Sequence, residues 1–290
     1  MNLRVRNVLV ALVVVMAVVI AAMNLGAAPR SVALHLRAVP KLVTRSFRVV
    51  PSQQRLVLPG RSASRTLHIP VLMYHRVDWP IPSTANGREF TVAPRNFDAQ
   101  MNWLQHNGFH PITQTALFRA LADRGSLPSK PIVITVDDGY VDGVHAILHG
   151  LVTRTRRWPA SFFIITGRIG KGPFLSWPDI HLLESSGMDI GSHTVFHTPL
   201  AQLTPAQLRF ELTRSRRTLT AGLGHPIYWF AYPYGSVDPG AQQAVASAGY
   251  LLAYTTVPGT WLSLSGRVAL PRINVGGQET LHQFAAALGG

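Results

Sequence analysis

The stretch KPIVITVDDGY, residues 130–140, decides the fold class. Ile132, Val133, Ile134 and Val136 form a short apolar, β-branched run, the pattern of a buried strand. Asp137 and Asp138 close it, and Gly139 lets the chain turn. Acidic side chains at the C-terminal mouth of a buried parallel strand are where α/β enzymes place their chemistry. Successive residues at a strand end point to opposite sides, so one carboxylate can ligate a metal while the other handles a proton. An Asp-Asp-Gly turn that merely ends a strand would look the same, since both residue types are common in turns.

Three further segments favour chemistry. GSHTVFHTPL carries His193 and His197 four residues apart, WFAYPYG spans residues 229–235, and PVLMYHRV spans residues 70–77. One Asp with two His makes a three-ligand set that leaves coordination positions open, the usual arrangement of a catalytic metal. The chain has no cysteine, so a metal must be held by His and carboxylate, and neither a disulfide framework nor a thiol nucleophile exists.

These segments resemble the polysaccharide deacetylases with a NodB-type domain, carbohydrate esterase family 4. TVDDGY resembles the first motif, SHTVFH the metal-binding second, and AYPYG a variant of the third. PVLMYH and FAYPYG are most similar to the branch that deacetylates poly-N-acetylglucosamine, and the resemblance spans residues 69–275. It implies Asp138, His193 and His197 as ligands of one divalent ion. Zinc suits such a set, while iron, cobalt, nickel and manganese remain open. It implies Asp137 as the general base and Tyr234 as the residue whose backbone N–H binds the oxyanion. The Arg that braces the base in the family is Ala231 here, and Arg272 in LPRINV is the candidate replacement. The leaving amine needs an acid. His75 at the end of an apolar run is preferred to His282, which sits in a predicted terminal helix over residues 279–288.

The ends differ from this domain. After Arg4 and Arg6, residues 8–23 are sixteen uninterrupted apolar residues, a signal peptide or an uncleaved anchor over residues 1–28. Gly26-Ala27-Ala28 offers small residues for cleavage, and Pro29 hinders it. The net charge of +14 is concentrated early: ten of the 27 basic residues precede residue 66, and no acidic residue precedes Asp78. Residues 29–66 therefore read as a basic juxtamembrane linker, and the catalytic domain as residues 67–290 with nearly balanced charge. That distribution argues against a nucleic-acid partner. A secreted polymer as substrate places the domain outside the cytoplasm, anchored or released.

Strands are expected over residues 69–74, 160–166, 188–193, 228–233 and 250–256. Helices are expected over 96–107, 113–124, from Thr204 onward, and 239–248, with a short one before Gly187 and a loop over 79–87. Alternating strands and helices predict a parallel sheet or barrel. The resemblance implies α/β architecture of the distorted, incomplete (β/α) barrel type, while the pattern alone also fits an open doubly wound sheet. The function read from the resemblance is metal-dependent removal of N-acetyl groups from an N-acetylglucosamine polysaccharide. A metal-dependent amidase for a small N-acyl substrate and an inactive polysaccharide-binding domain are the alternatives, the latter because of Ala231.

Overall fold

The computed structural model describes residues 56–58, 65–153 and 155–290. The apolar leader and most of the basic linker lie outside them. Among the described residues no helix is long and apolar enough to cross a membrane.

Seven strands form a ring. They are β1 (Val71–Tyr74), β2 (Pro131–Val136), β3 (Ser161–Ile164), β4 (Asp189–Ser192), β5 (Trp229–Ala231), β6 (Leu252–Pro258) and β7 (Leu270–Asn274). Each pairs in parallel with the next, and β7 returns to β1, so the sheet is a closed barrel rather than an open one. The ring is uneven. A single residue pair, Ser192 with Phe230, joins β4 to β5, and the β6–β7 register shifts between Tyr254 and Pro258. An antiparallel pair, Thr66–His68 with Trp261–Ser263, lies beside the barrel, so the predicted boundary at residues 66/67 falls inside a strand.

Helices surround it in chain order: α1 (Ala85–Phe90), α2 (Pro94–His106), α3 (Gln114–Leu121), α4 (Val144–Leu151), α5 (Trp177–Ser185), α6 (Pro205–Leu223), α7 (Pro239–Ser247) and α8 (Leu281–Ala287). α6 starts as its sequence dictates, with Thr204 and Gln207 in a capping box and Pro205 in the first turn. α1 occupies part of the segment expected as a loop. Its ANGREF carries no buried residue and hence no apolar period to read.

The two-residue period of the strands divides the apolar side chains into two layers. Leu72, Tyr74, Ile132, Ile134, Val136, Phe162, Ile164, Ile190 and Phe230 pack outward against the helices. Val71, Val133, Phe163, Trp229, Ala231, Leu252, Tyr254 and Leu270 fill the barrel interior, joined by Leu117, Phe118 and Leu121 of α3. The same parity carries past the strand ends. Asp137 follows outward-facing Val136, so it points inward, as does Arg272, two residues after Leu270. Along β4 the inward positions are Asp189, Gly191 and His193. Gly191 leaves the space that Phe163 occupies: a Cβ there would lie 2.5 Å from the Phe163 ring.

Candidate metal centre

Past the C-terminal ends of β2 and β4 three side chains converge. Oδ1 of Asp138 lies 3.4 Å from Nε2 of His193 and 3.2 Å from Nε2 of His197. One ligand atom from each residue falls within 4.8 Å of the other two. Tautomers follow from the outer partners. His193 Nδ1 is 2.8 Å from the carbonyl oxygen of Ala231, which can only accept, so Nδ1 carries the proton and Nε2 presents a lone pair. His197 Nδ1 lies 3.1 Å from the Tyr234 hydroxyl. Asp138 Oδ1 is buried and makes no hydrogen bond of proper geometry among the described residues. Burial alone would raise the Asp138 carboxyl, yet contact with His193 and His197 holds it far below the usual carboxylate range. Burial likewise opposes charge on His193, and Asp138 reverses that and raises it. A largely buried carboxylate facing two imidazole nitrogens is a donor set that could hold a cation. Bonds of about 2.0–2.1 Å at tetrahedral angles would set ligand atoms about 3.3–3.4 Å apart, and the two Asp138–His separations of 3.4 and 3.2 Å are compatible with a shared divalent ion.

The backbone that delivers these groups is bent away from ordinary conformations. Asp138, Thr194, His197 and Tyr234 all have positive φ, between 57° and 72°. A non-glycine residue in that region costs roughly 1 kcal/mol or more, and such residues cluster at functional sites. The loop between the two histidines is pinned from α6. Glu211 is 4 % exposed. Its Oε2 accepts the N–H groups of Val195 (2.7 Å) and Phe196 (3.1 Å). Thr194 Oγ1 accepts the N–H of His197 at 2.9 Å. Sequence reading missed Glu211. Its signal is an acidic residue beside the apolar face Leu208, Leu212, Leu219 of a helix otherwise rich in Arg.

Asp137 is held differently. Arg272 donates from Nη1 to Oδ1 at 2.8 Å and from Nη2 to Oδ2 at 2.6 Å. The same guanidinium bonds the Thr255 carbonyl and the Thr135 hydroxyl, so its fork is fixed. Burial pushes the Asp137 carboxyl up, and the Arg272 charge and hydrogen bonds outweigh it, leaving it below its ordinary value. Ala231 also faces the interior. A cation on β7 therefore reaches the carboxylate that a cation on β5 would have reached.

His75 lines the same cleft as Asp137, Asp138, His193, His197 and Tyr234, a space of about 830 Å³. Its ring packs on Phe90 of α1 at 4.6 Å, and its Nδ1 is buried without a partner among the described residues. Burial lowers its pKa, opposed by the charges of Asp137 and Asp138. His282 is exposed on α8 and does not line this cleft. Tyr234 is 67 % exposed at the rim, its ring 4.5 Å from that of His197. Gly235 follows it with φ 65°, where a Cβ would meet Thr256 Oγ1 at 2.1 Å, so only glycine completes this turn.

Known proteins share this arrangement of sequence and fold. The polysaccharide deacetylase family profile matches residues 124–253, which include Asp137, Asp138, His193, His197 and Tyr234 but neither His75 nor Arg272. Bacillus subtilis YxkH is 29% identical over 207 residues, 71% of this chain and 71% of its own. A Staphylococcus aureus poly-beta-1,6-N-acetyl-D-glucosamine N-deacetylase is 22% identical over 228 residues, 70% of this chain and 77% of its own. The structure of a Streptococcus pyogenes deacetylase in complex with acetate superposes with a TM-score of 0.71 at 25% identity, covering 77% of this chain and 99% of that one. On this agreement of sequence and barrel, residues 124–253 carry a polysaccharide deacetylase domain, and the likeness marks the protein as a de-N-acetylating hydrolase.

Proposed function

We propose that the protein removes N-acetyl groups from a polymer of N-acetylglucosamine, releasing acetate and leaving free amines, with one divalent ion held by Asp138, His193 and His197. The observation that carries this reading is the division of labour between adjacent carboxylates. Asp138 faces two imidazole nitrogens, while Asp137 is turned inward and neutralised by Arg272. The substrate class is supported by the likeness to a poly-N-acetylglucosamine N-deacetylase. Arg272 supports the active reading despite Ala231, because a cation stands against Asp137 even though position 231 supplies none.

When bound, a zinc-like ion supplies Lewis-acid polarisation of an acetamide carbonyl and lowers the pKa of a coordinated water. Asp137, kept ionised by Arg272, accepts the proton of the water that attacks the carbonyl carbon. The Tyr234 backbone N–H, set by the left-handed turn, meets the oxygen on which negative charge develops. The C–N bond then breaks only if nitrogen gains a proton, because an amide anion is a very poor leaving group. His75 supplies it. Its depressed pKa makes it a ready donor once charged, and it lines the cleft together with Asp137 and Asp138.

The test is acetate release by the metal-loaded protein from β-1,6-linked N-acetylglucosamine oligomers, with metal stoichiometry measured alongside. One ion per chain and one acetate per new amine are expected. His75→Ala is expected to keep the ion and lose most turnover. Full metal occupancy in His193→Ala, or no acetate from any oligomer, overturns the proposal.

A further inference from the structure

A cleft of about 830 Å³ encloses a ligand of drug size. On the proposed function, on which this inference rests, the substrate is a chain of sugars that must run out across the rim. The rim beside His197 is not polar. Phe196, next to that histidine, is 61 % exposed, and Phe210 on α6 is 49 % exposed. Their rings are near-parallel, 21° apart, with centroids separated by 6.1 Å. Large exposed aromatics are a cost in water unless something covers them.

Phe196 is held in place. Its N–H is one of the two that Glu211 accepts. Its ring edge lies over Gly167, where an added Cβ would come within 3.3 Å of Cδ1 and 2.5 Å of the Val195 carbonyl. Arg168, directly after that glycine, lines the cleft, as His197 does. Phe196 and the Gly167 beneath it are thus each one residue along the chain from a residue that lines the cleft, His197 and Arg168, and Phe196 shares its Glu211 support with the ligand-bearing loop.

We propose that Phe196 and Phe210 form a binding platform for a sugar residue of the substrate chain outside the cleft, taken on its C–H face. A pyranose ring offers one flat face of C–H bonds, which packs on an aromatic face with no directional hydrogen bond. Such a contact grips a neighbouring sugar whether or not it is acetylated, and lets the chain shift between turnovers. The platform's place beside His197 and Arg168 of the cleft lining selects the sugar chain as occupant over another protein surface.

The experiment compares acetate release from β-1,6-linked N-acetylglucosamine dimers and pentamers by the metal-loaded wild type, Phe210→Ala and Phe210→Trp. Phe210 touches none of the proposed ligands, so Phe210→Ala should keep metal content and dimer turnover. KM for the pentamer should rise roughly 3–10-fold, the loss of one aromatic packing contact, and Phe210→Trp should restore it. An unchanged pentamer-to-dimer ratio in an active Phe210→Ala overturns the platform and leaves the proposed function standing. An equal rise for both lengths also overturns the platform, since it marks a distorted site. Absence of acetate from both substrates in the wild type overturns the proposed function and the platform with it.

Discussion

Both mouths of this barrel hold an inward-facing carboxylate, buried at Asp137 and half-buried at Asp189, and the two have opposite chemistry. At the C-terminal mouth Asp137 is matched by the fixed fork of Arg272 and lies below its ordinary pKa. At the N-terminal mouth Asp189, the first residue of β4, accepts the Gln114 N–H at 2.8 Å. Burial pushes its pKa up to about 6, only partly opposed by that hydrogen bond and the distant charge of His225. The surroundings explain the difference. α3 closes the N-terminal mouth with Leu117, Phe118 and Leu121, whereas the other mouth opens onto the cleft. Burial acts alike on both carboxyls, and the partner decides which form the fold keeps.

The sharpest test of that contrast is to neutralise Asp137. Asp137→Asn removes the proposed proton acceptor but leaves Asp138, His193 and His197 in place. Turnover should fall by about 10²–10⁴-fold, the usual size of a general-base contribution, with metal stoichiometry unchanged. Loss of the ion together with the activity would show that Asp137 holds the ion instead.

Arg272→Met separates the proposed base, Asp137, from its partner. It leaves a buried carboxylate uncompensated, which costs roughly 3–5 kcal/mol and should appear as an earlier midpoint in denaturant. The pH dependence has a definite sign. In the wild type the depressed Asp137 pKa gives stability that is complete above the unfolded carboxylate value and lost as pH falls through the folded one. Without Arg272, burial prevails and the pKa rises, so the acid limb of the pH–rate profile should move to higher pH. A limb that stays where it was would mean that Asp137 does not control it.

Glu211→Ala should cost less. Two N–H groups of the ligand loop lose their acceptor, and supports of this kind typically carry 10–100-fold in metal affinity. Competition with a chelator measures it. Glu211→Gln keeps one carbonyl oxygen able to accept both N–H groups and should recover most of the loss. Equal weakening in the two variants would point to the negative charge rather than the hydrogen bonds.

What could be read from sequence follows from how local each signal is. The β-branched run before Asp137 and the spacing of His193 and His197 are local patterns, and both lead to the site. The inward parity of Asp137 is also local. Arg272 reads as the end of a further strand, but the bounds of β7 could not be read because LPRIN carries Pro271 within five residues, a residue that strand interiors ordinarily exclude. Arg272 is tolerated because four hydrogen bonds satisfy it inside the barrel. Barrel closure depends on β1 meeting both β2 and β7, which are about 60 and 200 residues away in the chain, and no window of sequence contains that. Glu211 is invisible for a similar reason: its partners, the N–H groups of Val195 and Phe196, belong to the backbone of another segment.

The smallest effect is expected at the opposite mouth, where it completes the contrast. Asp189 has a raised folded pKa, so between the ordinary carboxylate value and about 6 the folded state binds its proton more tightly than the unfolded chain does. Stability should therefore decline as pH rises through that window, by at most about 3 kcal/mol, and by less because Asp189 keeps some exposure to solvent. Asp189→Asn retains an oxygen for the Gln114 N–H and cannot ionise. The variant should match the wild type near pH 4 and exceed it in melting temperature near pH 7, with acetate release unchanged at both. A wild-type slope that survives the substitution would assign the titration to another group. A fall in activity would show that the closed mouth is coupled to the open one, through the Tyr254 hydroxyl that bonds Gln114 and the Tyr254 ring beneath Arg272.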